Sequence, residues 1–244
     1  YIRLTRFTEK TLADMQNAML ELEAQGAESL VLDLRFNPGG LLRQAHGVVD
    51  QFVPEGQIVM TQGRQVKASS LDADGGGLFN NGNLVVMVDE YSASASEIVS
   101  GALKDMGRAT IVGQRSYGKG SVQQVLPLGR GDRESYLKVT SAYYYVGPSE
   151  ILVHRRNGEG EWGVDPDLAV EMSSGQTQRW LDVRRRTDLI RENVPETLAA
   201  DLETQLEADI QLQTALLLLR LERSLSPRPE AEAETVVAET SPAE

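Results

Sequence analysis

Three serines stand at alternate positions in the segment SASASEI, residues 92–98, which follows the apolar run 84–88. Ser94 and Glu97 have the spacing of a capping box, in which a serine hydroxyl and a glutamate carboxylate bond free amides at the start of a helix. The same position places a serine at the positive end of a helix, beside amides that favour negative charge on a reacting oxygen. The local pattern therefore leaves two interpretations open for Ser94, a helix cap and a nucleophile.

Lys119 is the second candidate for chemistry, because it lies between two glycines in SYGKGS. Glycines let the backbone turn and approach other groups closely. A lysine acts as a general base only after its ammonium group has lost a proton, which burial favours. Val122, Val125 and the run 84–88 would supply apolar surroundings if the fold brings them together. A phosphate-binding loop is disfavoured, because Gly120 stands where such a loop has serine or threonine.

Other nucleophiles and metal ligands are scarce. The chain has no cysteine and two histidines, His46 and His154. Neither belongs to a paired ligand pattern, so both are expected to pack or face solvent. His46 falls in a predicted helix and His154 stands beside two arginines, which disfavours a Ser-His-Asp triad and favours lysine as the partner of a serine. The sequence predicts neither a cofactor nor a metal ion.

The charge of the chain is concentrated at one end. The net charge of −12 argues against a nucleic-acid surface, and 201–244 holds ten acids and three arginines, which leaves the preceding part nearly neutral. No apolar run approaches the roughly 18 residues of a membrane span. The chain starts in an apparent strand with neither an initiator methionine nor a signal segment, so we expect it to be the interior of a longer precursor.

The elements that must position these residues alternate along the chain. The predicted order is a strand at 1–4, a helix at 11–25, a strand at 29–34, a sharp NPGG turn, a helix at 41–52, a strand at 84–88 and a helix at 98–106. Such alternation predicts an α/β fold whose core is a largely parallel sheet with flanking helices.

The remaining segments are less regular. The polar stretch 69–83 is expected to be a surface loop, either mobile near the serines or a simple connector, and 136–146 a strand. Residues 177–223 contain mostly helix formers, with an apolar stripe that predicts an arm packing on the core or an oligomer contact. We therefore expect a catalytic core at 1–175, a C-terminal helical arm at 176–225 and a disordered acidic tail at 226–244.

Three ordered segments together resemble the C-terminal processing peptidases, or tail-specific proteases, which are serine peptidases with a Ser-Lys dyad. The segments are LDLRFNPGGLL at 32–42, YSASASEI at 91–98 and GKGSVQQ at 118–124. The resemblance covers about 1–170, ends with the segment GVDPD, and does not extend to the tail.

The resemblance implies a role for each matched position. Ser94 would be the nucleophile, Lys119 the general base and Gln123 the residue that orients the lysine. The backbone amides of Gly40 and Ala95 would form the oxyanion hole, where glycine lets an amide point into a crowded site.

Three further residues receive supporting roles. Ser92 and Ser96 are expected to support the nucleophile, and Asp105 to be structural. A straight strand would separate Lys119 from Gln123 by about 13 Å, at 3.3 Å per residue, so we expect a local helical turn there that brings the two side chains together.

The function that the resemblance implies is a serine endopeptidase that cleaves protein or peptide substrates at or near C-terminal or unfolded regions, without a cofactor. It also implies an extracytoplasmic location and a PDZ domain, which is not evident in this chain and would either precede Tyr1 in the precursor or be absent. The competing hypothesis is a noncatalytic scaffold or binding protein that retains the peptidase fold and uses its helical arm as the working surface.

Overall fold

The computed structural model describes residues 1–64, 66–128, 135–155, 160–187 and 202–225. Within these residues the helices are α1 (Thr11–Ala24), α2 (Leu42–Asp50), α3 (Ala95–Asp105), α4 (Ser174–Thr187), α5 (Leu202–Ala208) and α6 (Ile210–Leu225). The strands are β1 (Ile2–Arg3), β2 (Ser29–Asp33), β3 (Gln57–Gln62), β4 (Ser69–Asp72), β5 (Asn83–Val88), β6 (Thr110–Gly113), β7 (Ser121–Pro127), β8 (Tyr136–Val146), β9 (Ile151–Leu152) and β10 (Leu168–Ala169).

The first sheet has the strand order β1-β2-β5-β6-β10, and all its neighbouring strands are parallel. Leu30 and Leu32 of β2 point into the core that contains α1, α2 and α3, whereas Val31 packs with residues of α6 on the opposite face. A parallel strand that is buried on both faces must be apolar at successive positions. This explains the three consecutive apolar residues 30–32 in β2. The prediction of an α/β core with a parallel sheet and flanking helices is confirmed.

The second sheet is antiparallel, in the order β4-β3-β8-β7, and β9 pairs with β8. It was not predicted as a separate sheet. Within 69–83, where the sequence predicts a loop, residues Ser69–Asp72 form β4 against β3. β4 is short and polar and carries little periodic signal, because its pairing with β3 decides its conformation.

The C-terminal helices return to the parallel sheet. Leu212, Ala215 and Leu219 of α6 are buried against it, whereas Leu217 and Leu221 are exposed. One face of the predicted arm therefore packs on the core. No helix among the described residues is both long enough and apolar enough to cross a bilayer. The predicted acidic tail at 226–244 lies outside the described residues.

Candidate active site

Ser94 lies at the junction between the loop that follows β5 and the start of α3. Its backbone has φ 60° and ψ −111°, a conformation that costs a non-glycine residue on the order of 1–3 kcal/mol. The side chain is half-buried, and the Ser94 N–H donates to a carboxylate oxygen of Glu97 at 2.8 Å. The start of the helix and a partly accessible serine side chain therefore coincide at one residue.

The NPGG turn lies against Ser94. A Cβ atom on Gly39, whose φ is 95°, would approach Ala93 O to 2.5 Å and Ala95 N to 2.9 Å, so only glycine fits. Gly39 O accepts from Phe7 N–H, and Leu41 N–H donates to Phe7 O. Among the described residues, the N–H groups of Gly40 and Ala95 make no hydrogen bond, so both remain available as donors.

Glu97 joins the serine loop to the lysine loop. Its side chain is fully buried and its carboxylate accepts from four donors. One oxygen accepts from Ser116 Oγ and Gly118 N–H, each at 2.6 Å. The other accepts from Ser94 N–H and Lys119 N–H, each at 2.8 Å. The backbone nitrogens of Ser94 and Lys119 can thus be no further apart than twice that distance.

Burial raises the pKa of Glu97 above its usual value, because removal from water penalises the charged form. The donors on the carboxylate oppose this effect, beginning with Ser116 Oγ and followed by the backbone N–H groups. The spacing of Ser94 and Glu97 predicts only a capping role for Glu97. The spacing of a capping box predicts the bond between Glu97 and Ser94. It does not predict the bonds from Glu97 to Ser116, Gly118 and Lys119, which come much later in the chain.

Lys119 is half-buried and lies in a cleft of about 390 Å³, which is also lined by Tyr117, Gln123 and His154. Val122 is half-buried, but Val125 is 61% exposed and adds no apolar shielding. Among the described residues no hydrogen bond joins Lys119 Nζ to Ser94 Oγ. The fold brings the two loops together without closing that contact.

The helical turn predicted between Lys119 and Gln123 is wrong. Ser121–Pro127 is a strand whose backbone pairs with β8, and this ladder satisfies the groups that a helical turn would need. The described residues show no hydrogen bond between the Lys119 and Gln123 side chains. Both side chains nevertheless line the same cleft, and the orienting role of Gln123 stays a prediction.

A buried charged cluster supports the start of the NPGG turn. Arg35, 1% exposed, donates to Asp33 of β2 and, at 2.9 and 2.7 Å, to Asp209 at the start of α6. Burial would raise the pKa of Asp33, but Arg35 outweighs it and holds that pKa below its usual value. Trp180 of α4 stacks on Phe36 and lies 4.7 Å from the Arg35 guanidinium. The C-terminal helices therefore contact the residues that lead into the turn.

The other predicted residues lie as follows. Ser96 Oγ donates to Asn37 O at 2.9 Å, which ties α3 to the turn. Asp105 accepts from Ser149 N–H at 2.8 Å, a contact between α3 and the loop after β8. His46 Nε2 lies 2.8 Å from Asp72 O. Among the described residues no group of three or more His, Cys, Asp or Glu side chains is arranged to hold a metal ion.

A second cavity, of about 830 Å³, borders the cleft of Lys119. It is lined by residues that include Gly101, Asp105, Val146, His154 and Trp162, and shares His154 with that cleft. Lys119 lines only the smaller cleft, and Ser94 lines neither of the two.

Residues 1–170 match the model of a family described as peptidase family S41. The matched segment includes both sheets and every candidate site residue. The chain therefore belongs to peptidase family S41.

Related proteins carry consistent names. A carboxy-terminal-processing protease of Bartonella bacilliformis is 39% identical over 233 residues, which cover 90% of this chain and 51% of the relative. A chloroplastic carboxyl-terminal-processing peptidase of Arabidopsis thaliana is 43% identical over 150 residues, which cover 61% of this chain and 28% of the relative. The solved structure of a photosystem II D1 C-terminal processing protease is similar with a TM-score of 0.62 and 37% identity, over 69% of this chain and 41% of that one. The chain thus spans about half the length of the Bartonella relative and less of the others.

Proposed function

We propose that this chain carries the catalytic core of a serine endopeptidase that cleaves protein substrates at or near C-terminal or unfolded regions. Membership of peptidase family S41 supports this proposal. The observation that carries it is the shared carboxylate oxygen of Glu97, which binds the backbone N–H groups of Ser94 and Lys119 and so keeps nucleophile and base on adjoining loops.

The proposed reaction uses the side chains of Ser94 and Lys119, two backbone amides and a water molecule. Lys119, as the neutral amine, takes the proton from Ser94 Oγ while that oxygen attacks the peptide carbonyl. The N–H groups of Gly40 and Ala95 stabilise the negative oxygen of the tetrahedral intermediate. Lys119 then protonates the leaving amine, and an acyl-enzyme forms. Water, deprotonated by Lys119, releases the acyl group and regenerates Ser94.

Proton transfer requires Lys119 Nζ to come within hydrogen-bond reach of Ser94 Oγ, at about 2.6–3.2 Å. Contacts of this kind tighten in many enzymes only when substrate is bound. We infer that the lysine side chain closes on Ser94 when a substrate occupies the cleft.

Three further features belong to the same proposal. The family resemblance supports an extracytoplasmic location and a PDZ domain outside these 244 residues. The exposed Leu217 and Leu221 of α6 support a homo-oligomer through the C-terminal helices. Analytical ultracentrifugation of the chain and of a Leu217→Ser, Leu221→Ser variant tests the last point, since only a helix contact would weaken in the variant.

The test of catalysis is labelling with a fluorophosphonate probe, followed by casein cleavage. We expect Ser94→Ala to abolish both, and Lys119→Ala to reduce both strongly. Ser69→Ala and Lys138→Ala, which change exposed residues, should leave both unchanged. A wild-type chain that folds but neither labels nor cleaves would favour the scaffold hypothesis instead.

The role of Gln123 has a matched control in its neighbour Gln124. Both are exposed on β7, but Gln123 lines the cleft of Lys119 and Gln124 does not. We expect Gln123→Ala to lower kcat and Gln124→Ala to leave it unchanged. Equal kcat values for the two variants would remove Gln123 from the site.

A further inference from the structure

Asp89 is a buried carboxylate that directly follows β5 and has no part in the reaction described above. Its side chain is 4% exposed. Its Oδ1 accepts from the N–H groups of Phe36, Tyr91 and Ser92, each at 3.0 Å, and lies 3.1 Å from Ser92 Oγ. Among the described residues its Oδ2 accepts one hydrogen bond, from Phe36 N–H at 3.1 Å. The carboxylate thus joins two loops, the one after β2 and the one that leads to Ser94.

Phe36 is the residue whose conformation this contact controls. Its φ is 57°, in the left-handed region that bulky residues avoid, so the surroundings must hold it there. Its ring stacks on Tyr91, with centroids 4.7 Å apart. The Asp89 carboxylate accepts a hydrogen bond from the Phe36 N–H. The backbone and the ring of Phe36 therefore both contact the loop that leads to Ser94.

The path of Phe36 determines where the NPGG turn begins. The next residue, Asn37, accepts Ala93 N–H at 3.0 Å through its backbone oxygen, and its Oδ1 accepts Gly39 N–H at 2.9 Å. A shift of Phe36 would move Asn37 and, with it, the Gly39-Gly40 segment that lies against Ser94. The hydrogen-bonded path therefore runs from Asp89 to the amide of Gly39, the residue that precedes Gly40.

We propose that Asp89 is a positioning residue that sets the Gly40 amide relative to Ser94 by accepting hydrogen bonds from both loops. This inference rests on the proposed peptidase function. Among the described residues Oδ1 accepts from three backbone N–H groups and Oδ2 from only one of them, so the reach of one oxygen matters and the negative charge does not.

Two substitutions of Asp89 distinguish the effect of its side-chain length from the effect of its negative charge. Asp89→Asn retains an oxygen at the same reach and removes the charge, whereas Asp89→Glu retains the charge and places the oxygens one methylene further out. The readouts are the rate of fluorophosphonate labelling of Ser94 and the affinity for a peptidyl boronic acid, whose serine adduct places a negative oxygen in the oxyanion hole. Binding of the same peptide as a carboxamide measures ground-state affinity.

We expect Asp89→Asn to retain most of the labelling rate and boronate affinity. Asp89→Glu should lose both by on the order of a hundredfold, the loss typical of a displaced oxyanion-hole donor, with unchanged carboxamide affinity. Urea unfolding establishes that each variant is folded. If the Glu variant does not fold, Asp89→Ser, whose side chain is too short to reach Phe36, replaces it in the same comparison.

The possible results are distinct. A folded Glu or Ser variant with wild-type labelling overturns the proposal, as does a folded Asn variant with the hundredfold loss. Equal losses of boronate and carboxamide affinity also overturn it, because they indicate general disorder of the cleft. A wild-type chain that is not labelled overturns the peptidase function and this inference together, whereas labelled wild type with a fully active Glu variant overturns this inference alone.

Discussion

Glu97 connects, within one side chain, the residue that would attack a substrate and the residue that would activate it. Each of its oxygens accepts two donors, so an amide in its place would point an NH₂ group at two of them in either orientation. Leaving buried donors unpaired costs about 1–3 kcal/mol.

We therefore expect Glu97→Gln to lower the free energy of unfolding by about that amount and to slow labelling of Ser94, because the Lys119 loop loses its anchor. Urea titration and labelling kinetics measure the two effects. Glu90→Gln, at an exposed position, is the control and should change neither. A Glu97→Gln variant with wild-type stability would show that the four bonds are not needed.

Asp89 gives a second prediction at this scale, on the pH dependence of stability. Burial raises its pKa from the ordinary value of 3.8 to about 6. Between these values the folded protein binds a proton that the unfolded chain does not, so the free energy of unfolding decreases as pH rises through this window.

Asp89→Asn removes this titration. The stability of wild type relative to the variant should therefore be greater near pH 4 than near pH 7, by about 3 kcal/mol at about 1.4 kcal/mol per pKa unit. Urea unfolding across this range measures the difference, and Glu90→Gln serves again as the control. Parallel wild-type and Asp89→Asn curves would contradict a raised pKa.

At the scale of elements, the NPGG turn connects a parallel strand to α2 and touches the start of α3. Gly39 has a left-handed φ and no space for a side chain, whereas Gly26, after α1, has a similar φ of 83° and nothing within 4 Å of an added Cβ. A substitution at Gly26 therefore tests backbone strain alone, whereas a substitution at Gly39 adds a steric clash next to Ser94.

We expect Gly26→Ala to cost about 1 kcal/mol of stability and leave Ser94 labelling unchanged, because it adds strain alone. Gly39→Ala should abolish labelling, because its methyl group would displace Ala93 or Ala95. Thermal unfolding and probe kinetics provide the comparison. Labelling of Gly39→Ala at the wild-type rate would place the turn away from the nucleophile.

At the scale of the whole molecule, the C-terminal helices contribute to the structure of the site. Arg35 and Asp209 are 174 positions apart in the chain and form a buried ion pair beneath the NPGG turn. Loss of one partner from such a pair leaves a buried charge without compensation, at a cost of about 3–5 kcal/mol.

Because Asp33 still faces Arg35, we expect Asp209→Ala to cost about 3 kcal/mol, the lower end of that range. Chemical denaturation measures the loss, and Glu207→Ala, two residues earlier and exposed, is the control. Equal unfolding midpoints for the two variants would show that the C-terminal helices do not stabilise the core through this pair.

The parallel sheet could be read from the sequence because its strands are buried on both faces. Apolar runs such as 30–32 and 84–88, each followed by a turn and a helical pattern, leave few alternatives to an α/β core. The antiparallel sheet could not be predicted in the same way, since half-exposed strands such as β4 take their conformation from pairing with another strand and not from their own residue pattern. The helical turn expected after Lys119 failed for the same reason, because pairing with β8 makes that segment a strand.

The sequence by itself determined the family, the α/β core and the candidate residues Ser94 and Lys119, because these depend on local pattern and on ordered motifs. Only the tertiary structure decided that Glu97 joins the two loops, that Asp89 holds Phe36 in a left-handed conformation, and that Asp209 pairs with Arg35. Each of these contacts joins residues that are far apart in the chain. A buried polar group forms a hydrogen bond with whichever partner the packing brings within about 3 Å. The spacing of residues in the sequence does not predict that partner.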